Sequence, residues 1–357
     1  MNEGPKRDFI AKPDDLVLIT GATGFIGSRL VSNLLDRGFR NLRCLARRSS
    51  GVDRLEAIRR SVAARARLEV VSGNLLSRDD CMRATAGAAV IYHVAAGRGE
   101  KFIPDAFLNS VVTTRNLMEA AIKQQSVKRF VNVSSFTVYS NIDNPKGRLL
   151  DEEGAVEKNP EKRKDAYCFA KVKQDEMVRE YGDQHGLPYV IVRPGYVYGP
   201  GNEGMTFRVG IGTCGLYLHL GGSNTIPITY VDNCAEAIAL AGLTPGVDGE
   251  VFNVVDNDLP SSRWLLRQYK KNVRRFASIY VPHALSYALC CGWEWYSEWS
   301  QGQLPPVFSR KEWHASWKKT RYSNQKLKTR LGWEPKVPTS EGLRRHLEAC
   351  RLRGVHG

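Results

Sequence analysis

Leu16–Gly27 reads LVLITGATGFIG, a run of buried-strand residues that breaks into three glycines, Gly21, Gly24 and Gly27, spaced three apart. This pattern predicts a strand, a tight turn and the start of a helix. At Gly21 the chain can turn sharply. At Gly24 no Cβ stands between the backbone and a pyrophosphate, and at Gly27 the helix can lie close on the strand. The helix N-terminus then presents unpaired N–H groups and a partial positive charge, which together form an anion site. Phe25, Ile26, Leu30, Leu34 and Leu35 give the following helix one apolar face, so the glycines have the strand–turn–helix context that a phosphate cradle needs.

Asn41–Ala46 (NLRCLA) reads as a second strand, ending in Arg47, Arg48, Ser49 and Ser50. A carboxylate at this tip would hold adenosine ribose hydroxyls and repel a 2′-phosphate. Arg47 does the reverse, so NADP is expected, with NAD as the alternative. Leu68–Ser72 is a third strand; Gly73, Asn74 and Leu75 follow where an adenine ring would lie, and an Asn side chain offers that edge both a donor and an acceptor. Val90–Val94 is a fourth strand, and the small Ala95 and Ala96 leave room for a cofactor across the sheet. A long helix from Asp105 to about Gln124 and a strand Arg129–Val133 complete an alternation that predicts an α/β fold, a Rossmann-type doubly wound parallel sheet. His93 reads as a packed strand-end residue.

The strand 129–133 delivers Ser134 and Ser135 at its carboxyl end, where ligands sit in open α/β sheets. Further on, a charged helix from Asp165 to about Tyr181 carries Tyr167 and Lys171, whose i, i+4 spacing puts them on one face. A free phenol titrates near ~10; moving it to about 7 takes ~4 kcal/mol, and an ammonium alongside favours the phenolate. Lys171 and the nicotinamide charge would together supply that.

GATGFIG, the HVAA strand end, VSSFTVYS, YCFAK and VRPGYVYGP, in this order, resemble the extended short-chain dehydrogenase/reductase superfamily. The resemblance covers residues 14–256, and LGWEPKVPTSEGLR near 331 extends it toward the C-terminus. It implies that Ser135 is the catalytic hydroxyl (Ser134 the weaker candidate), Tyr167 the acid/base and Lys171 the ribose-binding partner. It also implies a cofactor held by Gly21, Thr23, Gly24, Phe25, Ile26, Gly27, Arg47, Asn74, Leu75, Ala95, Ala96, Tyr167, Lys171 and Pro194. Sugar-nucleotide dehydratases place an Asp-Glu pair after the catalytic hydroxyl, where Phe136 and Thr137 stand here. Epimerases usually carry an Asn where this chain has Tyr196. RPGYVYGPG, TYVDNCAEAIALA (229–241) and GEVFNVVD (249–256) look most like the 3β-hydroxysteroid dehydrogenase and dihydroflavonol reductase branch. The implied function is an NADP-dependent oxidoreductase that interconverts a secondary alcohol and a ketone. The alternative is a sugar or nucleotide-sugar epimerase working through a transient ketone with the same three residues. A non-catalytic cofactor sensor would be marked by loss of Tyr167 or Lys171, and both are present.

A chain of 357 residues, 42% hydrophobic, can bury a sizeable core. We expect a cofactor domain over 14–256, with a substrate-binding segment from about 195–225, and a C-terminal cap over 257–357. The first twenty residues contain no secretory h-region, and no run of 18 apolar residues occurs. Cys44, Cys81, Cys168, Cys214, Cys234, Cys290, Cys291 and Cys350 show no CxxC and no Cys/His ligand spacing. Reduced thiols in a cytoplasmic protein without a metal site are therefore expected. The formal charge is +15, and residues 263–353 hold 19 Lys and Arg against 6 Asp and Glu together with all seven tryptophans. Without a nucleic-acid reader motif, this tail is either a solvated basic face around a local Trp core or a peripheral contact for an anionic membrane. Ser278–Trp299, apolar and aromatic, reads as a helix that caps the substrate or lies in an interface. The expected partners are a small-molecule substrate and, as a further option, a second copy in a homodimer.

Overall fold

In β1 (Leu16–Thr20), Val17 and Ile19 pack into one core cluster and Leu18 into another, the alternation of a strand covered on both faces. The computed structural model describes residues 8–97, 102–142, 145–163, 165–213, 215–300 and 309–354. With β2 (Asn41–Ala46), β3 (Arg67–Ser72), β4 (Ala88–His93), β5 (Arg129–Val133), β6 (Tyr189–Pro194) and β7 (Val251–Val254), β1 forms a parallel sheet in the order β7-β6-β5-β4-β1-β2-β3. The strand order reverses at β1, so a crevice opens between β1 and β4 at their carboxyl ends. The register keeps those ends level: Thr20 is opposite both Leu45 and His93, and Val133 is opposite Val192.

On one face lie α1 (Phe25–Asp36) and α2 (Asp53–Val62); on the other lie α3 (Arg78–Thr85) and α4, which starts at Ile103–Ala106, passes through a π-helical stretch, Phe107–Val112, and ends as Thr113–Ile122. Helix α5 (Ala166–His185) joins the second face. Helix α6 (Val231–Leu243), buried at every residue but Asp232, joins the first. The bounds of β2 and β5 match the sequence reading, and the helix expected from Asp165 starts one residue later because Asp165 is its N-cap.

Beyond residue 195, apart from α6 and β7, the chain builds mostly a second layer. Gly210–Thr213 and Leu216–His219 pair antiparallel, and Ser278–Tyr280 adds in parallel to the latter. The stretch Ser278–Trp299 is thus not one helix, as its composition suggested. Its first residues are strand, and α8 (His283–Trp299) starts only after Pro282, whose ring disfavours helical backbone at Val281. Helix α8 packs on α9 (Arg310–Trp317), while α7 (Ser262–Asn272) packs with α11 (Thr339–Gly354), and α10 (Gln325–Leu331) returns to β7 and α6. Trp333 returns to the main core, where its Nε1 donates to Asn233 O at 3.1 Å, and the Asn233 side chain bonds both N and O of Val337. Trp313, Trp317 and Trp333 are buried, whereas Trp264, Trp293, Trp295 and Trp299 are exposed. The described cysteines are all free thiols, with Cys291 half-buried and the rest buried; Cys214 lies outside the described residues. Among the described residues no helix is long and apolar enough to cross a membrane.

A Cβ on Gly27 would stand 2.1 Å from Gly21 O and 2.8 Å from Ala22 Cα, both backbone atoms that cannot move aside. Gly27→Ala should therefore cost about 1–3 kcal/mol of stability. Urea unfolding measures this against Gly51→Ala, where nothing lies within 4 Å.

Candidate active site

Gly21 takes a left-handed φ of 69°, and a Cβ there would fall 2.7 Å from Ala95 N, so only glycine fits. Gly24 N-caps α1 with no side chain bonded to the first turn, whose N–H donors are left for a ligand. Before this turn lies a cavity of about 400 Å³. Gly21, Thr23, Gly24, Phe25, Ile26 and Gly27 line one side of it, Arg47 and Ser50 a second, and Asn74, Leu75, Ala95 and Ala96 the rest. Asn74 Oδ1 accepts from Leu76 N at 3.0 Å, closing its own turn. The amide oxygen keeps a second lone pair, so the side chain still has an acceptor as well as the Nδ2 donor. The uncapped donors and the cradle that only glycines allow fit a dinucleotide.

A second cavity, of about 480 Å³, shares Phe25, Ile26, Val94 and Ala96 with the first, so the two form one groove across the carboxyl edge of the sheet. Ser135, Tyr167, Lys171 and Pro194 line it. Ser135 caps the short turn Phe136–Val138, its Oγ accepting from Thr137 N at 3.2 Å, which leaves the hydroxyl hydrogen free to donate. Ser134 is more deeply buried, and its Oγ has no partner among the described residues. Tyr167 stands in the first turn of α5, its N–H donating to the Asp165 cap at 3.0 Å.

Lys171 is buried, and Nζ donates to Val133 O at 2.7 Å and lies 6.0 Å from the centroid of the Tyr167 ring. Burial pulls its pKa down to about 8, against the opposing charge of Asp175 one turn on. Both Asp175 carboxylate oxygens are engaged, accepting from Asn132 Nδ2 at 3.1 Å and Arg193 Nε at 3.0 Å. His93 is buried between the hydroxyls of Thr20 and Thr114, and burial lowers its pKa to about 3. It is a packed neutral ring, as its place at the strand end suggested.

The far wall was not legible in the sequence. Arg163 Nε donates to Glu312 Oε2 at 2.7 Å and its Nη1 to Thr137 O at 2.6 Å; Arg208 Nη1 donates to Ala315 O at 2.9 Å. Asp165 and Glu312 therefore bring two carboxylates to the cavity although none follows Ser135. Both have work already. Asp165 caps α5 and accepts from Thr137 Oγ1 at 3.4 Å, while Glu312 also accepts from Ser316 Oγ at 2.6 Å. The run Ser309-Arg310-Lys311-Glu312 fits a capping box, and Glu312 N does bond Ser309 Oγ, so the start of α9 could have been read; its place in the wall could not.

Residues 17–254 match the model of the NAD dependent epimerase/dehydratase family. The chain belongs to this family. It is 25% identical over 347 residues to a 3-beta-hydroxysteroid dehydrogenase of Mycolicibacterium neoaurum, covering 92% of this chain and 89% of that protein. The fold is similar to that of gox2253, with a TM-score of 0.73 and 25% identity over 96% of this chain and 99% of the other. It is also similar to UDP-glucuronic acid 4-epimerase from Bacillus cereus in complex with NAD, at a TM-score of 0.68 and 20% identity, over 94% and 99% of the two chains. The family member described here is an enzyme of the extended short-chain dehydrogenase/reductase type.

Because burial favours neutral Lys171, its ammonium is a penalty on folding, fully present below pH 8 and relieved as pH rises from about 8 toward the unfolded value of 10.5. The stability difference between Lys171→Met and the wild type should therefore shift in favour of the wild type between pH 8 and 10, read by urea unfolding across that range; a difference that does not change with pH would contradict the sign.

Proposed function

We propose that this enzyme interconverts a secondary alcohol and its ketone with NADP, through Ser135, Tyr167 and Lys171. The observation that carries the reading is the convergence of these three side chains on one cavity that runs into the nucleotide cradle. The nicotinamide, when bound, exchanges the hydride with the substrate carbon. Tyr167 takes the hydroxyl proton as the ketone forms, and returns it in the reverse direction. Ser135, its oxygen already accepting from Thr137 N, donates to the reacting oxygen and holds it in place. Lys171, desolvated beside Tyr167, favours the phenolate through a field that little water screens, and it would bond the ribose of a bound cofactor.

Arg47 and Ser50 at the tip of β2 would supply a positive, hydrogen-bonding site for a 2′-phosphate, and among the described residues no carboxylate lines that part of the groove. We expect NADPH to bind at least tenfold tighter than NADH, a difference of ~1.4 kcal/mol. Fluorescence titration of both, with Arg47→Ala for comparison, measures it; equal affinities, or a preference unchanged in Arg47→Ala, would refute the assignment.

One observation favours a second reading, epimerisation of a sugar through a transient ketone. The substrate wall carries Thr137, Arg163, Asp165, Arg208 and Glu312, which suits a hydroxyl-rich molecule better than a smooth hydrocarbon. Stoichiometric NADP turnover identifies the oxidoreductase, and product formation without it identifies the epimerase. Under either reading Tyr167→Phe should keep cofactor binding while turnover falls by about 10²–10⁴-fold, the usual effect of removing a positioned acid/base.

A further inference from the structure

Helix α8 has two unlike faces. Ser286, Cys290 and Ser297 are buried, and this side docks on α9: Trp313 Nε1 donates to Ser286 Oγ at 2.9 Å, the Tyr287 and Trp313 rings stand 5.0 Å apart, and Glu294 pairs with Arg310. The other side repeats Leu285, Leu289, Tyr296 and Trp299 at helical spacing, with Trp295 on its flank and the exposed Glu298 beyond Trp295. Leu289, Trp295 and Trp299 are 60%, 66% and 69% exposed. Single exposed apolar residues need no explanation, but a continuous stripe of this kind marks a contact surface.

The elements that lead into α8 are basic. Ile279 and Tyr280, both exposed, lead into α8, and the guanidinium of Arg263 lies 5.7 Å from the centroid of the Tyr280 ring, which ties this strand to α7. On α7, Arg267 and Lys271 share a face with the exposed Trp264, and exposed Arg274 and Arg275 follow. Two copies would each bring a formal charge of +15 to such a contact, which opposes their association. An anionic bilayer instead takes Trp and Tyr at its headgroup level and Arg and Lys on its phosphates. We propose that this face docks the enzyme peripherally on an anionic lipid membrane, with Leu285, Leu289, Trp295, Tyr296 and Trp299 entering the interface and the cations of α7 and residues 274–275 holding the headgroups. The helix lies along the surface rather than across it, and α9, whose outer side it covers, carries Glu312 and Ser316 of the substrate wall. The inference is independent of the cofactor and of the reaction.

The full-length protein is mixed with vesicles of phosphatidylcholine, with and without phosphatidylserine, at low and physiological salt, and sedimented. Binding should need phosphatidylserine and weaken with salt, and brominated lipid should quench the tryptophan fluorescence. Trp295→Ser/Trp299→Ser keeps every charge and should weaken binding by roughly tenfold or more. Lys271→Gln/Arg274→Gln/Arg275→Gln should lose the preference for phosphatidylserine. All these positions are on the surface, so circular dichroism should show both variants folded. The proposal is overturned by absence of binding to anionic vesicles at low salt. Unchanged binding of the Trp variant would also overturn it, since that would mean adsorption by charge alone, as would a dimer that the Trp variant dissociates, since the face would then join two copies.

Discussion

Everything in the groove depends on how closely α1 can approach β1. Gly27 and Gly24 remove the Cβ atoms that would press on the turn, Gly21 removes the one that would strike Ala95, and among the described residues no side chain caps the helix start. That start sits at the point where the strand order reverses, so its unpaired N–H groups open into the crevice instead of onto a neighbouring helix. The strands on either side end level with it, and their last residues, together with the short segments that follow, supply the remaining walls.

The second constraint is buried charge. An ammonium inside a protein is costly unless something nearby offsets its desolvation. Lys171 has one carbonyl bond, to Val133, and the charge of Asp175 one turn away, while Asp175 itself is held by Asn132 and Arg193. Arg193 in turn lies 4.8 Å from the Tyr139 ring centroid, and Tyr139 Oη donates to Asn253 Oδ1 at 2.8 Å. This network runs through β5, β6, β7 and α5 and fixes α5 on the sheet edge, which is what aims Tyr167 and Lys171 into one cavity. A second buried cation, Arg163, does the equivalent for the outer wall by joining the segment ahead of α5 to α9.

The parts that sequence reasoning reached are those set by short-range pattern. Short apolar runs alternating with helices placed β2 and β5 at their observed limits, and the Tyr-x-x-x-Lys spacing on a helix put both side chains on one face wherever that helix was to lie. Every residue expected at the cofactor or the reacting centre lines the groove, because each sits at a strand end or a helix start, and a parallel sheet gathers those ends on one edge. The reading weakened where two local signals competed. Ile279 and Tyr280 look apolar enough for the following helix, but Pro282 and pairing with Leu216–His219 make them strand.

By itself, then, the sequence determined the parallel sheet, the glycine turn and the Tyr167–Lys171 pair, which follow from residue type and spacing over a few turns of chain, while the family resemblance singled out Ser135. Only the tertiary structure decided that Glu312, 149 residues from Arg163, closes the substrate cavity, that the Asn74 carbonyl closes its own turn, and that three tryptophans of the basic tail are core while four are exposed. The reason is physical. Backbone geometry repeats locally and so leaves a periodic trace in the sequence, whereas burial and ion pairing between distant segments depend on which surfaces packing brings together.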